Sequence, residues 1–183
     1  EALRKNAGEG QKFSPLLYLA KAVVEALKAF PQFNASLAPD EATLILKKYY
    51  HIGIAVDGPL GLLVPVLRDA DKKDLSTLNQ ELKAFIAQAR SKGLPMDAMS
   101  GGCFSISSLG GIGGTFFTPI INAPEVAILG ATGIRMQPVW NGESFEPFSA
   151  EIAIKMPEDN QVAIVDKNIV VFNQAKFENL FQY

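Results

Sequence analysis

Seven apolar side chains recur at helical spacing in "FSPLLYLAKAVVEALKAFPQF": Leu16, Leu19, Ala20, Val23, Val24, Leu27 and Phe30. They make a wide stripe on one face of a helix. Such a stripe must be covered, and this need constrains the fold more than anything else in the chain. The ends of the helix are marked as well. Ser14 can cap it, Pro15 suits the first helical position, and Pro31 stops it. Lys21 and Glu25 break the apolar run, so no transmembrane helix is expected.

The covering surface comes from strands. "TLILKKYY" and "HIGIAVD" read as two of them, and Ile52, Ile54 and Val56 share one face of the second. "GPLG" is a turn. "LLVPVLRD" is a third strand, in which Pro65 implies an edge or a bulge. Residues 75–92 form a second helix with Leu78, Leu82, Phe85, Ile86 and Ala89 inward, Ser76 as its cap and Gly93 at its end. "CFSISS" and "EVAILG" are strands, the second one buried. "GIRMQPVWNGESF" is a hairpin, because Asn141-Gly142 favours a type I′ turn. Further strands are expected in "AEIAIKMPEDNQVAIVDKNIVVF", with turns at 157–160 and 166–168. Residues 1–12 read as a helix end running into a loop, and "QAKFENLFQY" as a helical turn. The expectation is one α/β domain over residues 1–183: a mixed sheet with two helices packed on it.

Composition narrows the function classes. The formal charge of −2 gives no basic surface for nucleic acid or an anionic membrane. The one cysteine, Cys103, allows no intrachain disulfide, which fits a reducing compartment. No signal peptide is expected from these residues, and the absent initial methionine suggests a piece of something longer.

Few residues offer chemistry. In "CFSISS", Phe104 and Ile106 point one way while Cys103, Ser105 and Ser107 point the other. The small polar face meets solvent or a neighbouring chain, or it lines a channel where a hydroxyl could donate to an oxyanion. The glycines of "GGIGG" lack the spacing of a phosphate-binding loop and read as a tight turn. His51, the only histidine, reads as structural, and with Cys103 it makes no metal site. Lys47-Lys48 and Lys72-Lys73 read as solvated faces, with at most one phosphate contact among them.

Four stretches carry a resemblance: "FPQFNASL", "IGIAVDGPLGLLVPVLRDADKK", "MSGGCFSISSLGGIGGTFFTPIINAPEVAILG" and "PVWNGESFEP". In order and spacing they resemble the catalytic domain of dihydrolipoyl acyltransferases, most of all the bacterial acetyltransferases of the pyruvate dehydrogenase complex. The likeness runs from about Phe13 to Pro147, and the family's first strand and helix have no counterpart here. It implies a chloramphenicol-acetyltransferase-like fold, trimers, and a large cubic core in the bacterial cytoplasm. It implies acetyl transfer between dihydrolipoamide and coenzyme A. Coenzyme A would be a substrate, the lipoyl group would ride on a separate domain, and no metal would be needed. Partners would be the lipoyl domain and the pyruvate and dihydrolipoyl dehydrogenase subunits. The family's oxyanion serine falls on Ser107, and Asp57, Ser108, Thr132 and Ile134 fall near the coenzyme A path.

The tail, residues 148–183, departs from the family. Its base sits in D-H-R-x-x-D-G, about fifty residues after the serine. That slot here holds Asp159 or Asn160. Asparagine has no basic lone pair, and an aspartate of pKa about 3.9 is a weak base toward a thiol. Three readings follow: a non-catalytic core homologue, a tail replaced by a frame change, or misassigned tail residues. Because the whole tail changes at once, the last is preferred, with the chain an acetyltransferase. Succinyl or branched-chain transfer is a further alternative.

Overall fold

The computed structural model describes residues 13–40, 42–59, 61–109, 117–132, 136–140, 142–149, 164–166 and 169–173. Helix α1 spans Pro15–Ala29. The Ser14 hydroxyl accepts from the Leu16 N–H at 3.3 Å, and Phe30 closes the helix by donating its N–H to the Ala26 carbonyl. Leu17, Leu19, Ala20, Val23, Val24 and Leu27 are buried. Leu17 thus joins the expected stripe, and Leu16 and Phe30 pack against the core half-buried.

Helix α2 spans Leu75–Ser91 and buries Leu78, Leu82 and Ala89. Its cap is Asp74, not Ser76: the Asp74 carboxylate accepts from the Thr77 N–H at 2.8 Å. A carboxylate at this position also meets the positive end of the helix dipole. Gly93 follows the helix with φ 80°, the left-handed conformation that glycine adopts without strain. A short helix, α3, occupies Met96–Met99.

The strands are β1 (Ala35–Leu37), β2 (Leu44–Leu46), β3 (Ile52–Ile54), β4 (Val56–Gly58), β5 (Gly61–Leu63), β6 (Val66–Leu67), β7 (Phe104–Ser108), β8 (Ala127–Ala131), β9 (Met136–Trp140), β10 (Phe145–Ser149), β11 (Ile164–Asp166) and β12 (Ile169–Asn173). Six of them form the central sheet in the order β11-β12-β8-β7-β3-β6. Within it, β3, β7 and β8 run parallel, and the flanking strands are antiparallel. This is the mixed sheet expected from sequence. Ile52, Ile54, Phe104, Ile106, Ala127 and Leu129 share one core with the buried faces of α1 and α2. The helices thus cover one face of the sheet and leave the face of Ser105 and Ser107 to other partners.

Two local expectations change. "HIGIAVD" is not one strand. The chain leaves the central sheet after Ile54, and β4 pairs with β5 in a separate hairpin. Pro65 follows its expectation: it separates β5 from the two-residue edge strand β6, and its carbonyl accepts from the Ile54 N–H at 2.9 Å. β9 and β10 form the expected hairpin, but Trp140 pairs with Phe145. The connection is therefore the four residues 141–144, too long for a two-residue type I′ turn. In the tail, β11 and β12 pair across residues 167–168, near the expected turn. The expectations for residues 1–12, 157–160 and 174–183 lie outside the described residues.

Candidate functional site

The parallel strands point their C-terminal ends the same way. Ile54 is level with Ile106, Ser107 with Gly130, and Ser108 with Ala131. Ser107 and Ser108 end β7, Thr132 follows β8, and Asp57 lies three residues beyond the end of β3. Ser107, Ser108 and Thr132 therefore stand at the carboxyl ends of adjacent parallel strands, where open α/β sheets commonly place ligands, and Asp57 lies on the β4–β5 hairpin that leaves the sheet. Ser107, Ser108 and Thr132 are half-buried, and Asp57 is exposed. Ile134, Asp159 and Asn160 lie outside the described residues.

The alternation of β7 sorts its side chains as expected, and its small polar face is closed at Ser105 but partly open at Ser107. Ser105 is 1% exposed. A Cβ on Gly53 would stand 2.7 Å from its Oγ, so glycine is needed on β3 for the two strands to approach. On the other side of β7, Phe117 and Pro119 lie over Gly130, within 3.1 and 3.2 Å of where a Cβ would stand. Ser107, paired with that glycine, thus sits beside an apolar wall. A hydroxyl donor works best in such partial shelter from water.

His51 is structural, as its isolation implied. Its Nδ1 accepts from the Asp69 N–H at 3.0 Å and holds Asp69 at φ 48°. That nitrogen is occupied and unavailable as a base. Cys103 is buried, and desolvation raises its thiol pKa. Among the described residues, no group of histidine, cysteine and acidic side chains could hold a metal.

A second polar feature lies at the opposite end of the parallel strands. A cavity of about 460 Å³ is bounded by Ser36, Lys47 and Tyr49 on one side, and by residues 99–102 and 122–125 on the others. Lys47 is not simply solvated: its Nζ donates to the Gly102 carbonyl at 3.0 Å. Glu125, 3% exposed, pairs its backbone with Ser36, and the Oε2 atom of its carboxyl has no hydrogen-bond partner. Burial pushes its pKa up to about 7, with the Ser105 hydroxyl and the Lys47 ammonium opposing the rise. That hydroxyl is near, yet it makes no hydrogen bond of good geometry. The sequence does carry a signal for this feature. Glu125 is the lone charge in the long apolar run "FFTPIINAPEVAILG", and an isolated charge there has to be buried or used.

The pattern of the 2-oxoacid dehydrogenases acyltransferase (catalytic domain) family matches residues 1–162. The chain belongs to this family. It is 52% identical over 146 residues to the dihydrolipoyllysine-residue acetyltransferase component of the pyruvate dehydrogenase complex of Haemophilus influenzae. That match takes in 80% of this chain and 26% of the relative, so the chain spans about a quarter of the relative's length. The solved cubic core of the pyruvate dehydrogenase multienzyme complex superposes with a TM-score of 0.72 at 57% identity, covering 80% of this chain and 59% of that one. A chloramphenicol acetyltransferase superposes with a TM-score of 0.50 at 18% identity over 79% of this chain and 69% of the other, which shows the shared fold alone. The acyltransferase resemblance and the fold expected from it are thereby borne out.

Proposed function

We propose that the chain is the acetyltransferase core of a bacterial, cytoplasmic pyruvate dehydrogenase complex, and that it passes acetyl groups between dihydrolipoamide and coenzyme A. The observation that carries this reading is Ser107. It lies next to the end of a central parallel strand, on the sheet face opposite the helices, in a scaffold 57% identical to a solved pyruvate dehydrogenase core. In the reaction, one thiol gives up its proton and its sulfur attacks the thioester carbonyl carbon. The carbonyl electrons move onto oxygen, and the Ser107 hydroxyl donates to that oxyanion. Collapse re-forms the carbonyl and expels the other thiolate, which takes a proton. A donor so placed lowers the barrier by about 3 kcal/mol. Asp57, Ser108 and Thr132 line the approach of coenzyme A, and the resemblance assigns Ile134 to the same path. The lipoyl group arrives on a separate domain, and trimers of the chain build a cubic core that the pyruvate and dihydrolipoyl dehydrogenase subunits join.

One observation favours a second reading, that of a catalytically inactive core homologue. The chain has a single histidine, and its Nδ1 is held by the Asp69 backbone. Asp159 or Asn160 occupies the place of the family's base. One experiment separates the readings. Acetyl transfer from acetyl-CoA to dihydrolipoamide is measured for the chain and for Ser107→Ala, with assembly followed by light scattering. The enzyme reading expects turnover that falls about a hundredfold in Ser107→Ala, with assembly kept. Assembly without turnover in either protein establishes the inactive homologue. Faster turnover with succinyl-CoA moves the acyl specificity to a relative.

A further inference from the structure

Glu125 is packed between the β1–β2 hairpin on one side and the turn entering β7 on the other. Ser36, on β1, pairs with its backbone. Lys47 directly follows β2, supplies the nearest cation, and reaches past the carboxyl to the Gly102 carbonyl. On the far side, the carboxyl abuts the turn entering β7: a Cβ on Gly102 would stand 2.6 Å from Oε1. β2 is exposed along its length, while Ala35 and Ser36 of β1 are buried. Apart from the Ser36–Glu125 bridge, the hairpin's strands pair only with each other. Its ties at this end are the Ser36–Glu125 bridge, the Lys47 bond to Gly102, and the Cys103 thiol, which donates to the Tyr49 carbonyl at 3.3 Å; the Asn34 side chain closes the hairpin's own base by donating to the carbonyls of Lys47 and Tyr49 at 2.9 and 3.1 Å. The cavity between the hairpin and the sheet gives it room to move.

From this arrangement we infer that the β1–β2 hairpin is a proton-linked flap, closed over Glu125 while that carboxyl carries its proton and loosened when the carboxyl ionises. A carboxylate shut beneath the hairpin has an oxygen without a hydrogen bond, and lifting the hairpin returns it to water. The sign follows from linkage. Closed, the group titrates at about 7; exposed, it titrates at 4.5. Opening therefore becomes easier as pH rises from 4.5 and levels off above about 7. The other groups facing Glu125 do not share this window. The Cys103 thiol titrates above its ordinary value, and Ser36 and Ser105 do not titrate. His51 contacts the Tyr49 ring, with centroids 4.6 Å apart, and it is unaltered in the variants below.

The test is amide hydrogen exchange by mass spectrometry on the full chain, corrected for intrinsic rates, from about pH 5 to about pH 8. Peptides from α2, remote from Glu125, serve as the internal reference. Opening of residues 34–49 should increase by about a hundredfold at most across this range, and not at all in Glu125→Gln. Lys47→Met removes the cation that favours ionisation, so it should move the upper end of the transition to higher pH. This keeps the test available if Glu125→Gln does not fold. Hairpin exchange independent of pH in the native chain would overturn the inference. So would a pH dependence that survives unchanged in Glu125→Gln or fails to move in Lys47→Met.

Discussion

Replacing Gly53 by alanine tests whether the β3–β7 approach is as tight as described. Gly53 pairs with Ser105 on one side and Val66 on the other. A new Cβ would stand 2.7 Å from Ser105 Oγ, 3.0 Å from Val64 Cγ1 and 3.5 Å from Ser105 Cβ. Two of these three distances are shorter than ordinary carbon contacts. Ser105 is 1% exposed and cannot swing its hydroxyl into water. Overpacking of this kind costs about 1 to 3 kcal/mol, offset by about 0.5 kcal/mol from the stiffer unfolded chain. The expected net loss is about 1 to 2 kcal/mol, read by urea unfolding at fixed protein concentration and about pH 6, where Glu125 is mostly protonated. Ser105→Ala removes a buried hydroxyl that has no hydrogen-bond partner, so alone it should be neutral or slightly stabilising. In the double variant the 2.7 Å contact is gone while the Val64 contact remains. It should therefore recover about half of the Gly53→Ala loss, a coupling that only contacting residues show. A fully stable Gly53→Ala, or strictly additive changes, would refute the reasoning.

Two further outcomes are expected. Glu125 has a folded pKa raised from 4.5 to about 7, so the native state holds this proton more tightly than the unfolded chain. Its contribution to stability is full below 4.5 and is lost as pH rises to about 7; the native chain should lose about 3 kcal/mol relative to Glu125→Gln, measured by denaturation across that range. Asp74→Ala should cost about 1 kcal/mol by removing the cap of α2, while Ser76→Ala should change unfolding little.

The parts legible in the sequence were those fixed by local rules. Period and capping set α1, and alternation sorted Phe104 and Ile106 from Ser105 and Ser107. Pro65, which has no N–H to give a ladder, marked the interruption before the edge strand. The break after Ile54 was not legible, because Ala55 and Val56 suit a continuing strand and only pairing with β5 draws the chain away. The cap was misplaced for a similar reason. Asp74 and Ser76 are both good caps, and which one serves depends on where the first turn begins. Ser107 came from resemblance, since alternation alone left its face open to several uses. The Glu125 cavity was missed because it joins residues 36, 47, 102 and 125, which no local pattern connects.

The position of β8 has a consequence for how the chain is made. This strand is buried at every residue, and it is hydrogen-bonded to β7 on one side and to β12 on the other. β12 begins at Ile169, so about forty residues must follow β8 out of the ribosome before its second edge is paired. Until then "AILGA" presents an open, apolar, chargeless edge next to a folded sheet, the kind of surface that recruits strands from other nascent chains. A chain that ended before residue 169 would keep that edge for good. Such a truncation should appear first as insoluble protein, whatever the state of the residues that carry the chemistry.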